Sequence, residues 1–371
     1  MSENTNTNMF KVTIDGETVE VPQGTTILQA ARKIGKHVAP PTMCYYEPLE
    51  NTGGFCRTCL VEVTQGSEKD PRPMPKLVAS CKTEVMDGMV VGNKTSERTQ
   101  SAREAVVEFL LINHPLDCPV CDQAGECKLQ DLSYDHGLEQ SRLDFQKRTF
   151  DPIDIGDKIQ LHMNRCIMCF RCVLLADQLT EKREHGVMYR GDHSEISTYI
   201  EKALDNDFIG NVIDVCPVGA LTDKTFRFKN RVWFLKPVDA HRDCPDCSGK
   251  VRLWYRGEEV FRVTARRNEW WEVEDWICNT CRFDKKDTSD WVIEGPSVLG
   301  KNTVIRTGHY FDKFGTTKPN ETFTKVMKGR DPKILLNIHD ESEVNKPGKK
   351  LSEIPGPATS SDYNEDQKKL N

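Results

Sequence analysis

Fifteen cysteines occur among the 371 residues, and they fall into four groups with the spacing of metal ligands. Every group contains a pair of cysteines separated by two residues, a pattern that indicates metal ligation when no signal peptide precedes it. A disulfide framework is disfavoured because an odd number of cysteines leaves one sulfur unpaired. The groups are, in chain order, Cys44, Cys56, Cys59 and Cys81; Cys118, Cys121 and Cys127; Cys166, Cys169, Cys172 and Cys216; and Cys244, Cys247, Cys278 and Cys281.

The first group offers four thiolates, which suit either a [2Fe–2S] cluster or zinc. Gly53 and Gly54 precede its C-x-x-C pair and let the backbone fold closely around inorganic sulfide. Backbone N–H groups of such a loop can also donate to sulfur and adjust a redox potential. These features favour a [2Fe–2S] cluster, with the ligands Cys44, Cys56, Cys59 and Cys81.

A histidine extends the second group. Its pattern is His114-x3-Cys118-x2-Cys121-x5-Cys127. Pro115 forces the chain out of a helix at His114, and Gly125 eases the last turn. The alternative for His114 is a solvated residue at a helix end, but three thiols follow it closely. The pattern therefore predicts that one imidazole and three thiolates bind a metal centre.

The third group predicts a single [4Fe–4S] cluster. Cys166, Cys169 and Cys172 form the triplet of bacterial ferredoxins, in which a cysteine followed by proline normally binds the other cluster. Ala176 stands where a cysteine of that second cluster would lie. The distant Cys216-Pro217 pair supplies the fourth ligand, and this spacing favours iron over a zinc knuckle.

Secondary-structure patterns predict an α+β multidomain chain. Around the turn Asp15-Gly16, alternating residues predict a hairpin, then a helix over 25–34 and three more strands, as in a β-grasp domain. The predicted elements there are Phe10–Ile14, Thr18–Val21, a helix capped by Thr25 or Thr26 and stopped by Gly35, Leu60–Val63, Leu77–Ala79 and Met89–Val91.

Five successive regions are predicted along the chain. They are a [2Fe–2S] ferredoxin-like domain at 8–96, a helical segment with one histidine and three cysteines at 97–137, a [4Fe–4S] ferredoxin-type domain at 138–229, a small strand-rich module with six tryptophans and four cysteines at 230–296, and an extended or disordered tail at 297–371. The tail is predicted because its composition is too polar for a packed core.

Later segments carry their own patterns. An amphipathic helix ending at His114-Pro115 is predicted, with one apolar face formed by Ala102, Ala105, Val106, Phe109 and Leu110. The block at 157–228 is expected to have a helical middle. In the tryptophan-rich module, Lys250–Arg256 and Glu259–Thr264 predict strands on either side of a turn at Gly257.

Bulk composition excludes several classes of protein. A net charge of −6, from 51 basic and 57 acidic residues, gives no support to nucleic-acid binding. Mean hydropathy is −0.58, and no apolar run reaches the roughly 18 residues that a membrane helix needs. The N-terminal residues 1–10 have neither the basic nor the apolar region of a secretory signal. No G-x-G-x-x-G or P-loop pattern is present to hold a nucleotide.

Over about residues 10–225 the chain resembles the large iron–sulfur subunit of NADH-quinone oxidoreductase, respiratory complex I. The resemblance rests on Cys44, the segment 54–63 (GFCRTCLVEV), Cys81, the histidine-containing motif, and the triplet preceded by 163–165 (MNR). It implies a second [4Fe–4S] cluster on His114, Cys118, Cys121 and Cys127. Iron-only hydrogenases share the first two motifs but keep both ferredoxin triplets, so Ala176 favours complex I.

The fourth group departs from that family. Some members bind a further [4Fe–4S] cluster with the pattern C-x2-C-x3-C-x27-C, but Val251 occupies the third ligand position here. Cys281 can replace that ligand, or the two C-x-x-C pairs can form a closed zinc site. Cys244, Cys247, Cys278 and Cys281 are therefore predicted to bind zinc or a further [4Fe–4S] cluster. The resemblance also implies that a long C-terminal domain is missing, so that this is a shortened form.

The function implied is electron transfer within an NADH:quinone oxidoreductase, with the NADH and quinone sites on other subunits. The implied partners are the flavin- and NADH-binding subunit, a small [2Fe–2S] subunit and quinone-module subunits, in a peripheral arm on the cytoplasmic face of a bacterial inner membrane. Two alternatives stay open: the electron-input subunit of a soluble NAD-linked hydrogenase or formate dehydrogenase, and a zinc-stapled scaffold without redox chemistry. Four basic residues lie beside the ligands in the sequence: Arg57, Lys128, Arg165 and Arg171. Two interpretations of them stay open: that they offset the negative charge of a cluster, or that they are ordinary solvated side chains.

Overall fold

The structure, a computed structural model, describes residues 8–138, 140–142, 146–151, 153–179, 185–198, 204–257 and 259–296. The predicted tail at 297–371 lies outside the described residues. No helix within those ranges is both long enough and apolar enough to cross a membrane.

A five-stranded sheet covered by one helix forms the N-terminal part. Its elements are β1 (Met9–Ile14), β2 (Glu17–Pro22), α1 (Ile27–Ile34), β3 (Leu60–Gln65), β4 (Val78–Ala79) and β5 (Met89–Gly92). The strands lie in the order β2-β1-β5-β3-β4, with β5 parallel to β1 and antiparallel to β3. The predicted hairpin, helix and three further strands are confirmed. The strands form here because their alternating apolar residues bury one face of the sheet.

Helix α1 begins at a capping box. The backbone N–H of Gln29 donates to the Thr26 hydroxyl, and the Gln29 side chain accepts from the Thr26 N–H in return. Thr26, rather than Thr25, is thus the cap. The helix packs its apolar face on the sheet, where a separate core contains Val12, Ile14 and Ile27.

Helix α2 (Glu97–Leu111) buries a different face from the one predicted. Its buried residues are Thr99, Arg103 and Val107, whereas Phe109 is 75% exposed. The prediction was wrong because apolar spacing alone could not identify Arg103 as a core residue.

Arg103 is buried because it finds three oxygen acceptors in the N-terminal part. These are Thr58 O at 3.2 Å, Leu60 O at 3.4 Å and Asn93 Oδ1 at 2.6 Å. A buried guanidinium is tolerated where such acceptors replace water. This residue fixes α2 against the sheet domain, and the helix ends three residues before His114.

The middle of the chain combines short helices with two small antiparallel ladders. Its elements are α3 (Lys128–His136), β6 (Ile159–Leu161), α4 (Arg171–Leu179), β7 (His185–Met188), β8 (Glu195–Thr198), α5 (Asn211–Val215) and β9 (Leu221–Asp223). Strand β6 pairs with β9, and β7 pairs with β8. The expectation of a helical middle was therefore partly wrong, since an antiparallel strand pair follows α4.

The tryptophan-rich module contains a second sheet. Its strands are β10 (Lys236–His241), β11 (Lys250–Arg256), β12 (Glu259–Ala265) and β13 (Val292–Pro296), in the order β12-β11-β10-β13. The two predicted strands around Gly257 are confirmed as β11 and β12. A π-helical turn at Thr280–Asp284 packs against β12.

One continuous apolar core joins the middle of the chain to this second sheet. It runs from Met43 to Ile293 and includes Trp291, Leu175 and Val215. Two ion pairs also join distant parts of the chain: Arg32 of α1 reaches Glu272 at 2.9 Å, and Arg262 reaches Glu126 at 2.7 Å. The domain boundaries given above stay a prediction.

Candidate metal centres

The first cysteine group lies at the edge of the N-terminal sheet, and its sulfurs meet in pairs. Cys59 Sγ is 3.4 Å from Cys81 Sγ, and Cys44 is hydrogen-bonded to Cys56. Within each pair the shared hydrogen bond lowers the pKa of one thiol, Cys56 or Cys81, and raises that of the other. All four predicted ligands are buried together, as a cluster site requires.

The loop before the C-x-x-C pair directs backbone N–H groups at sulfur. Gly54 N donates to Cys81 Sγ at 3.2 Å, and Cys56 N donates to Cys44 Sγ at 3.3 Å. Gly53 has a φ of +95°, and a Cβ there would come 3.0 Å from Cys81 Sγ. This donor set suits thiolates that bind iron, since amide N–H groups stabilise the negative charge.

Three of the four predicted ligands of the second group, His114, Cys118 and Cys127, line a cavity of about 590 Å³. The Nδ1 atom of His114 is buried and has no hydrogen-bond partner among the described residues. Burial and the nearby Arg165 lower the pKa of His114 to about 4, so its imidazole is neutral at physiological pH. A buried, neutral and unpartnered imidazole nitrogen fits a metal ligand.

Cys121 is the remaining sulfur of this set. It is buried, and burial raises its pKa. Cys118 is exposed, and Cys127 is half-buried at the start of α3. Burial raises the pKa of Cys127 to about 11, and the nearby Cys121 and Cys118 thiols add to that rise.

The third group lines one small apolar cavity, formed by Cys166, Cys169, Cys172 and Cys216 with neighbours such as Leu161 and Ile196. Burial raises the pKa of all four thiols, that of Cys169 to about 12. Four thiols in so dry a place remain protonated unless a metal displaces the protons, which fits the predicted cluster. Met168 and Phe170 have positive φ values, which turn the triplet around the cavity.

Ala176 lies on α4 and is 1% exposed. It packs in the main core beside Leu175. The position at which a second ferredoxin cluster would need a cysteine is therefore filled by apolar packing.

Contacts between residues distant in sequence join the first site to the third. The rings of Phe55 and Phe170 meet edge to face with centroids 4.9 Å apart. Arg171 is 1% exposed and donates to Tyr45 O at 2.5 Å and to Val215 O at 3.3 Å. It thus bridges the residue after Cys44 and the residue before Cys216.

The third site also touches the second. Cys127 Sγ lies 4.0 Å from Pro217 O, and a Cβ on Gly219 would collide with Cys121 Sγ. Arg165 donates to Asp117 Oδ2 at 2.8 Å, which ties the triplet to the loop before Cys118. Between the first and second sites stands α2, which spans about 12 Å from Arg103 to its end at 1.5 Å per residue.

The four basic residues near the ligands differ in how deeply they are buried. Arg165 and Arg171 are buried and hydrogen-bonded beside the sites, so they carry charge there, whereas Arg57 is exposed. Lys128 is half-buried, and its desolvation together with the nearby positive charge of Arg171 lowers its pKa to about 7.

Sequence reasoning missed three residues that belong to the sites. Asp117 pairs with Arg165, Phe170 meets Phe55, and Gly219 approaches Cys121. Each acts through a contact distant in sequence, so no local pattern could have identified it.

The fourth group is more compact than the others. Cys244 and Cys247 lie in the turn between β10 and β11, Cys278 lies just before the π-helical turn, and Cys281 lies within it. The Cys244 and Cys278 sulfurs are 3.7 Å apart, and those of Cys247 and Cys281 are 3.8 Å apart. All four sulfurs lie within 4.8 Å of one another.

Three family models match successive parts of the chain. The model described as "2Fe-2S iron-sulfur cluster binding domain" matches residues 7–96. The model "NADH-ubiquinone oxidoreductase-G iron-sulfur binding region" matches 103–142, and "NADH-quinone oxidoreductase subunit 3, ferredoxin-like domain" matches 156–222. Each matched range contains all the candidate ligands of one of the first three sites.

Curated relatives agree with these models. The chain is 45% identical over 277 residues to "NADH-ubiquinone oxidoreductase 75 kDa subunit" of Reclinomonas americana, an alignment that covers 74% of this chain and 38% of the relative. It is 43% identical over 342 residues to "NADH dehydrogenase [ubiquinone] iron-sulfur protein 1, mitochondrial" of Solanum tuberosum, covering 90% of this chain and 44% of the relative. The chain thus spans about two fifths of the length of these curated relatives.

A solved structure is also similar. It is described as "Crystal structure of NAD+-reducing [NiFe]-hydrogenase in the H2-reduced state" and matches with a TM-score of 0.52 at 28% sequence identity. The match covers 60% of this chain and 91% of that chain.

Proposed function

The chain belongs to the family of the large iron–sulfur subunit of NADH-quinone oxidoreductase, and on this premise we propose that it carries electrons from an NADH- and flavin-binding partner toward quinone. In this proposal three sites hold clusters: a [2Fe–2S] cluster in the first, and a [4Fe–4S] cluster in each of the second and third. The ligands are Cys44, Cys56, Cys59 and Cys81; His114, Cys118, Cys121 and Cys127; and Cys166, Cys169, Cys172 and Cys216.

The observation that carries the proposal is the adjacency of the three ligand sets. The third set touches the first through Phe55 and Phe170 and the second through Gly219. The spatial order is therefore first, third, second. A chain of redox sites in contact suits the passage of electrons across a protein, whereas a scaffold stapled by separate metals needs no such order.

When bound, iron–sulfur clusters supply one-electron chemistry whose potential depends on net charge, hydrogen bonds and exposure. The residues of this chain set those conditions. Buried thiols at the third site exclude water, and amide donors around Cys44 and Cys81 stabilise negative sulfur. Arg171, buried between the first and third sites, offsets negative charge at Cys169 and Cys216 of the third site.

Partners must supply the remaining chemistry. The sequence has no nucleotide-binding pattern, so we propose that a flavin- and NADH-binding subunit and a small [2Fe–2S] subunit deliver electrons, and that quinone-module subunits accept them. The assembly would place this chain in a peripheral arm on the cytoplasmic face of a bacterial inner membrane, attached through its partners.

The test is a Cys169→Ser substitution in the complete complex. We expect membranes carrying it to lose NADH:quinone activity while NADH reduction of an artificial acceptor at the flavin subunit persists. The exposed change Lys69→Ser is the matched control and should leave both activities intact. Full NADH:quinone activity in the Cys169→Ser membranes would refute the proposal.

The solved hydrogenase structure gives a second candidate function specific support, since the match covers 91% of the similar chain in it. In that case the chain would connect a hydrogen-oxidising partner to an NAD-linked one. The same Cys169→Ser strain distinguishes the two functions: loss of hydrogen-dependent NAD⁺ reduction, with NADH:quinone activity intact, would favour the hydrogenase.

A further inference from the structure

We propose that Cys244, Cys247, Cys278 and Cys281 bind a single structural zinc ion. Zinc lies about 2.3 Å from each thiolate in a tetrahedral site, which places the sulfurs about 3.8 Å apart. Two of the sulfur–sulfur separations here, 3.7 and 3.8 Å, agree with that distance, and no pair exceeds 4.8 Å. The zinc assignment is independent of the function proposed above, whereas its effect on the third site rests on the cluster proposed there.

The same compactness argues against a further iron cluster. A [4Fe–4S] cluster places iron and sulfide between its thiolates, so the sulfurs stand well apart. Within the described ranges, this is the one group of three or more such ligands whose donor atoms gather within 4.8 Å. The space between four sulfurs at this separation holds one ion and no inorganic sulfide.

Val251 supports this assignment. It occupies the third ligand position of the four-iron pattern, yet it is fully buried on β11 and pairs with Ala240 and Ala265 in the sheet. Cys281 does not take over that position, since it comes from the π-helical turn beside Cys278 and not from the sheet.

Both C-x-x-C pairs have the local geometry of metal knuckles. Gly249 N donates to Cys247 Sγ at 3.4 Å, and Cys281 N donates to Cys278 Sγ at 3.5 Å. Gly249 has a φ of +67°, and a Cβ there would collide with Arg242 O. The amide donors and the Arg242 guanidinium, 3.9 Å from Cys281 Sγ, offset the double negative charge of zinc with four thiolates.

The ion would fasten the second sheet to the helix that presents Cys216. Asn279, between the two last ligands, donates to Asn206 O at 2.8 Å and accepts from Gly210 N at 2.9 Å. Arg282, next to Cys281, pairs with Asp214 of α5. Because α5 leads directly into Cys216, zinc acts here as a positioning element for the third site and undergoes no redox change itself.

The first experiment measures the metal in the full chain, purified anaerobically with its clusters. We expect one zinc per chain by elemental analysis, and zinc absorption fine structure with four sulfur neighbours at about 2.3 Å. Absence of zinc, or nitrogen and oxygen neighbours around it, would overturn the proposal. This measurement needs no variant and so does not depend on how a variant folds.

The second experiment compares the double variant Cys244→Ser/Cys247→Ser with Cys166→Ser. The double variant should lose its zinc, whereas Cys166→Ser should lose iron and keep zinc. Loss of four iron atoms and acid-labile sulfide from the double variant without loss of zinc would overturn the assignment. If zinc positions Cys216, the double variant should also shift the electron paramagnetic resonance signal of the third site, while the [2Fe–2S] signal stays unchanged as an internal reference. An unchanged third-site signal would refute the positioning role.

Discussion

Replacing Asp214 by Asn should destabilise the protein more than any exposed charge change does. Asp214 is 3% exposed, pairs with the fully buried Arg282, and lies 3.3 Å from Arg267. Burial alone would raise the pKa of Asp214, but these two guanidinium groups outweigh it and hold the pKa below its usual value of 3.8. Asn keeps the size of the side chain but leaves the buried Arg282 and the half-buried Arg267 without this counter-ion.

The expected cost follows from that loss. Removing one partner of a buried ion pair costs about 3–5 kcal/mol, and about 2–4 °C of melting temperature accompanies each kcal/mol in a domain of this size class. We therefore expect Asp214→Asn to melt roughly 10 °C below the wild type. Because the folded pKa is depressed, the stabilisation is complete above the unfolded value of 3.8 and is lost as the pH falls through the lower folded value.

The assay is circular dichroism of the cluster-loaded chain, heated anaerobically at neutral pH and at one fixed scan rate, so that the melting temperatures of the variants are comparable. Asp284→Asn is the matched control: it removes an ion pair with Lys158 at 3.7 Å in which both side chains are about half exposed. Such a pair contributes about 1 kcal/mol at most. A melting temperature of Asp214→Asn within about 2 °C of the Asp284→Asn control would refute the reasoning.

Three further outcomes are expected. His114→Cys replaces a neutral ligand by a thiolate. One added negative charge at about 4 Å is worth about 4 kcal/mol at an effective dielectric constant of about 20, so the midpoint potential of that site should fall by more than about 100 mV. A redox titration that shows an equal or higher midpoint potential would contradict this. Gly219→Ala places a methyl group against Cys121 Sγ, so the signal of the histidine-ligated site should weaken in reduced-state spectra while the [2Fe–2S] signal stays. Arg103→Met leaves Thr58 O and Asn93 Oδ1 without their buried donor and should lower the stability by about 2 kcal/mol or more, measured as a drop in melting temperature that the exposed change Arg98→Met does not reproduce.

Local patterns predicted the elements whose causes are local. The helix predicted over 25–34 is present, and it begins at the capping box of Thr26 and Gln29. The strands on either side of Gly257 were predicted from the alternation of apolar and polar residues. Helix α2 shows the limit of that reasoning. Its spacing favoured Phe109 as a core residue, but burial went to Arg103 because acceptors distant in sequence satisfied its charge.

The sequence by itself determined which residues could bind metal, because ligands on one loop must follow one another at short, fixed intervals. It also indicated, through Ala176, that the ferredoxin-type site has one cluster. Tertiary structure decided how the sites are arranged: along the chain they run first, second, third, but in space the third lies in contact with both others. That order depends on Arg171 reaching Tyr45 and on Gly219 reaching Cys121, contacts that no local spacing encodes.

Tertiary structure also separated the fourth cysteine group from the others. Its four residues permit zinc or iron by spacing alone, since two C-x-x-C pairs occur in both kinds of site. The separation between the pairs depends on how the turn after β10 packs against the π-helical turn, which brings Cys244 to 3.7 Å from Cys278. Folding across 34 residues thus gathers all four sulfurs within 4.8 Å of one another, and this gathering, not any single distance, is the physical reason for assigning zinc.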